Sequence, residues 1–136
     1  MRSTPRARVT LAAVAALAFA AGVATVARAA SVLDFDVWMR AIDKRSVEVQ
    51  RNIEARKPEA AVSDAQELSR LYGLMQTYFV DDGHAADAVE FSRSGKALAD
   101  AIAPALASKD YDAAAKAALD LSHACNDCHD VHKPFQ

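Results

Sequence analysis

The sequence predicts an all-α protein, an antiparallel up-down-up-down four-helix bundle. Three observations carry the fold. Apolar residues recur at three- and four-residue steps in four separate stretches, with no sustained alternation by two. Only 4 Gly and 4 Pro accompany a hydrophobic content of 52%, which excludes a turn-rich β-sandwich. The stretches are separated by short breaks, so consecutive helices of roughly 20 residues, each about 30 Å long, must return antiparallel. At 136 residues there is one small domain, and a formal charge of −2 disfavours a nucleic-acid binder.

The first 29 residues stand apart. Arg2, Arg6 and Arg8 precede an uncharged apolar run from Val9 to Ala27, and Ala27-Arg28-Ala29 offers small residues at the two positions a signal peptidase requires. Residues 1–29 are therefore read as a Sec signal peptide cleaved after Ala29. The alternative is an uncleaved anchor, since the run is nearly long enough to span a bilayer. Cleavage leaves residues 30–136 as one periplasmic domain carrying 12 basic and 18 acidic residues, a formal charge of −6. A single core of this size is marginal, so a bound cofactor would add useful stability.

The first helix is predicted from Phe35, Trp38, Met39, Ile42, Val49 and Ile53 on one stripe, with Arg40, Asp43, Lys44, Glu48 and Arg51 opposite. Pro58 ends it, because proline disfavours helix at the preceding Lys57, and can open the next. The second helix carries Val62, Ala65, Leu68, Leu71/Tyr72, Met75 and Phe79, and stops at Asp81-Asp82-Gly83, where glycine can take positive φ. A third starts near Ala85 with Val89, Leu98, Ile102 and Leu106 on a stripe, and Pro104 is expected to kink it or end it early. After Ser108-Lys109-Asp110 the fourth aligns Ala114, Ala118, Leu121, Cys125 and Cys128.

The only two cysteines fall in Cys125-Asn126-Asp127-Cys128-His129, the C-x-x-C-H form of a c-type haem attachment site. On a helix, residues three and four apart share a face. Cys125 and Cys128 can each add to a haem vinyl group, and His129 then presents its imidazole to the iron. Export agrees with attachment outside the cytoplasm. Three other readings compete. A Cys125–Cys128 disulfide closes a very short loop with poor geometry. A redox-active C-x-x-C normally follows a strand, and none is evident. A zinc site would need His84, His123 or His132 beside Cys125, Cys128 and His129, without the usual second ligand pair.

A single C-x-x-C-H near the end of an exported four-helix chain resembles the class II c-type cytochromes, the cytochrome c′ group. The likeness covers the mature chain in architecture and is short in motif. The family usually has an aromatic residue three after the haem histidine and a basic one next; here these are His132 and Lys133, so the aromatic is missing. Counting back from Pro58, past Asn52-Ile53-Glu54-Ala55-Arg56-Lys57, the resemblance lands on Met39 as the distal position. In the electron-transfer branch a methionine there ligates the iron, and in the gas-binding branch the iron stays five-coordinate. That second branch often has an arginine four residues earlier, where this chain has Phe35.

The resemblance thus implies one covalently bound haem c, held by Cys125 and Cys128, with His129 proximal and Met39 distal. It implies an electron carrier exchanging with redox donor and acceptor proteins, with binding of nitric oxide or carbon monoxide at a five-coordinate haem as the alternative. Related bundles often form homodimers through their first two helices. Periodicity alone makes Met39 core filling, and Met75 is read as core. His84 and His123 are expected in solvent, and His132 near a haem edge or in water. Phe35 and Trp38 are expected to wall the pocket or pack in the core. No nucleophile with a paired base and no phosphate-binding loop is evident, so no enzyme is predicted; a peroxidase would want a distal acid–base pair.

Overall fold

Four helices follow one another in the computed structural model, which describes residues 29–83 and 85–132: α1 (Val32–Glu54), α2 (Pro58–Asp82), α3 (Ala86–Ala107) and α4 (Tyr111–His132). The segment read as a signal peptide, up to residue 28, lies outside the described residues, as do His84 and Lys133.

Local signals set the ends. Ser31 caps α1 by accepting the Asp34 N–H, while the Asp34 carboxylate accepts the Ser31 N–H at 2.8 Å. Such a box is worth about 1 kcal/mol. Lys57 leaves the helical region, Arg56 takes a φ of 56°, and Pro58 opens α2 as its first residue. Gly83 ends α2 in the left-handed region at φ 71°, its N–H donating to the Phe79 carbonyl. Asp110 accepts the Ala113 N–H at 2.9 Å at the start of α4.

One expectation needs correcting. Helix α3 does not end at Pro104 but continues to Ala107. Pro104 is exposed in the last turn, so the single intrahelical bond it removes lies on a face open to solvent.

Each helix packs against its chain neighbours, and α4 closes back on α1, as in an up-down-up-down bundle. The central stripe is Ile42, Val49 and Ile53 from α1, Leu68, Leu71 and Met75 from α2, Ala99, Ile102 and Leu106 from α3, and Ala114, Ala118 and Leu121 from α4. Fully burying each large aliphatic contributes about 1.5–3 kcal/mol. The alanines of α3 and α4 let their backbones approach. The gap between Ile42 and Val49 is filled by Ser46, buried in the same stripe.

One polar group also lies deep between α1 and α2. Asp64 is 3% exposed and accepts hydrogen bonds from Arg45 Nη1 at 2.6 Å and Asn52 Nδ2 at 2.8 Å. Both carboxylate oxygens are thus satisfied, which burial demands. No helix among the described residues is long and apolar enough to cross a membrane.

Candidate functional site

The last two turns of α4 place Cys125, Cys128, His129 and His132 along one stripe, at steps of three, four and seven residues. Cys128, His129 and His132 of that stripe line a cleft of about 580 Å³, within the range of small-molecule sites. Helix α1 supplies the opposite wall with Phe35, Asp36, Met39, Arg40 and Asp43. Helix α2 contributes Met75 and Phe79. Deeper in, a recess bounded by Ile42, Tyr72, Phe91, Ser92, Ala124 and Cys125 continues from the same Met39, Met75, Cys128 and His129.

Methionine and histidine candidates therefore stand on facing helices of one cleft, with Cys128 beside His129. Met39 is half-buried and packs against the core, whereas Met75 is 4% exposed and sits in it. Both thioethers line the cleft, so periodicity alone could not have separated them. Phe35 holds the cleft wall through a stack on Tyr78 at 4.9 Å and an edge contact to Phe79 at 5.4 Å. Trp38 packs against the core without lining the cleft, turned toward a surface groove with Leu74 and Tyr78.

The two thiols are free and half-buried. Burial pushes both above the ordinary thiol range. For Cys125 a hydrogen bond with Tyr72 works against that rise, and the Asp43 carboxylate adds to it. For Cys128 the neighbouring Cys125 and Asp87 add to burial. The Ser46 hydroxyl favours the ionised form of the Cys125 thiol, and Ser46 Oγ is buried with no hydrogen-bond partner among the described residues. Redox-active C-x-x-C pairs need the opposite shift, a thiol pushed down toward neutrality. The described residues also hold no strand before the pair.

His132 lies at the rim, its Nε2 3.0 Å from Asp87 Oδ2 and its ring edge-on to Phe91 at 6.3 Å. This contact ties the end of α4 to the start of α3. His123 is exposed and away from the cleft. No three His, Cys, Asp or Glu side chains among the described residues are arranged to hold a metal ion together, so the zinc alternative has no donor set there.

Sequence reasoning missed Tyr72 as anything but a stripe position. Its phenol oxygen lies 2.9 Å from Cys125 Sγ, across the diagonal of the bundle. A buried tyrosine needs a partner for its hydroxyl, which is the one signal that marks it, but the sequence alone does not say which partner.

No protein-family model, curated protein or solved structure matches the chain.

Proposed function

We propose that the protein is a periplasmic monohaem c-type cytochrome that carries single electrons. The observation that carries this reading is the C-x-x-C-H run on a cleft whose opposite wall presents a methionine. The residues fit the group. Phe35, Met39, Met75 and Phe79 give the cleft an apolar and aromatic lining, its charged lining residues Asp36, Arg40 and Asp43 are exposed, and two thiols and an imidazole share one stripe.

In this reading Cys125 and Cys128 tether the porphyrin by thioethers, His129 is the proximal ligand and Met39 the distal one. Bound haem supplies a one-electron ferric–ferrous couple whose potential a thioether ligand raises. Phe35, Phe79 and Met75 keep water from the cleft, and the rigid walls on α1 and α4 hold both ligands through the redox step, which keeps reorganisation small. Electrons pass to and from partner proteins. No catalytic group is assigned. Export with cleavage after Ala29 belongs to the same reading, since thioether formation takes place outside the cytoplasm.

The experiment is expression with a haem-attachment system, followed by intact mass and acid–acetone extraction. One haem that stays with a chain starting at Ala30 supports the reading. A colourless chain, or haem that leaves with the solvent, overturns it.

A further inference from the structure

We propose that Tyr72 is a positioning residue for the Cys125 sulfur, donating a hydrogen bond to it in the haem-loaded protein and thereby raising the reduction potential. This rests on the cytochrome reading above. Four observations carry it. Tyr72 is 5% exposed, and its hydroxyl oxygen is 2.9 Å from Cys125 Sγ. The two residues belong to diagonal helices, α2 and α4, whose backbones make no close approach to each other. The contact is therefore made by the length of the phenol side chain reaching across the bundle. Finally, the ring is seated by Gly95 on α3, where any Cβ would collide with Tyr72 Cδ1, Cε1 and Cζ.

The chemistry fixes the direction of the bond. With a free thiol either atom can donate. A thioether sulfur has no proton and is a weak acceptor only, so after attachment Tyr72 O–H must be the donor. Among the described residues the hydroxyl has no other hydrogen-bond partner, and burying a phenol without one is unfavourable. The positive end of the O–H dipole then points at the sulfur that joins porphyrin to chain. In a site shielded from water such a dipole acts with little screening. Reduction adds one negative charge to the haem, so the dipole favours the ferrous state. Ser46 is a further hydroxyl that acts on this sulfur, and among the described residues it has no hydrogen-bond partner.

The test is the midpoint potential of the haem-loaded protein with Tyr72→Phe, in the natural background and in a Ser46→Ala background. Phenylalanine keeps the ring against Gly95 and removes only the donor, so circular dichroism and the ferric spectrum serve to show an intact fold. The expected result is a potential shifted to more negative values in both backgrounds, with the haem still covalently bound. A potential that does not move, or moves positive, in both backgrounds overturns the role of Tyr72 while leaving the cytochrome reading standing. A wild-type chain that takes up no covalent haem overturns both.

Discussion

Gly95 on α3 lies directly against the aromatic ring of Tyr72 on α2, at a place where no side chain fits. Gly95 is helical and has no positive φ to accommodate, so the need is for space alone. Glycine inside a helix is unfavourable by roughly 0.5–1 kcal/mol relative to alanine, and the seated ring offsets that.

Gly95→Ala is therefore expected to destabilise the fold despite its better helix propensity. Overpacking of this kind costs about 1–3 kcal/mol, read as a lower denaturant midpoint at unchanged slope. A stability equal to or above the parent would mean that the ring has room to shift.

Asp64 joins α1 to α2 by accepting from both Arg45 and Asn52. Asp64→Ala removes both bonds and strands the Asn52 amide, so a loss of about 1–3 kcal/mol is expected. The lower end applies because the Arg45 side chain is 39% exposed and water takes over part of its solvation. Chemical denaturation of the pair Asp64→Ala and Arg45→Ala, with the double variant, checks whether the two losses are coupled.

On the proposed cytochrome reading, alkaline pH separates the haem-free from the haem-loaded chain. Burial raises the folded-state pKa of Cys125, Cys128 and Tyr72. As pH climbs through the ordinary thiol range, the unfolded chain ionises first while the folded one keeps its protons. Their contribution is thus fully present below that range and is lost as pH rises through the folded values. The haem-free chain should lose melting temperature on the alkaline side. In the loaded chain both sulfurs are thioethers without protons to titrate, and the loss should shrink to that of Tyr72. Melting curves against pH for the two forms make the comparison.

The two methionines of the cleft give opposite predictions. Met39→Leu should convert the haem-loaded protein to a high-spin spectrum that responds to carbon monoxide. Met75→Leu should keep the low-spin spectrum, with at most a loss of stability from the repacked core, below about 1.5 kcal/mol. If the two variants exchange these behaviours, Met75 is the ligand.

Much of this architecture is legible in the sequence. Ile42, Val49, Leu68, Ile102 and Leu121 announce four buried stripes by spacing alone, and Pro58 and Gly83 mark breaks where the chain turns. The C-x-x-C-H run lies on α4 as its spacing demands. What periodicity cannot convey is which helix a polar side chain will meet. Asp64 reads as one more charge on a mixed face, yet it is buried because Arg45 and Asn52 arrive from α1. Ser46 reads as a gap in a stripe and is core. Tyr72 finds its partner 53 residues away on a diagonal helix. Pro104 does not end α3, because it occupies an exposed position in the last turn.

The most direct test of the central claim is the optical spectrum of the purified haem-loaded protein, ferric and ferrous, before and after carbon monoxide. Low-spin bands in both states, a far-red methionine-to-iron band in the ferric state and no response to carbon monoxide are predicted. A high-spin spectrum that shifts with carbon monoxide would contradict ligation by Met39 and make the protein a gas-binding haem protein, and a spectrum without haem bands would contradict the whole account.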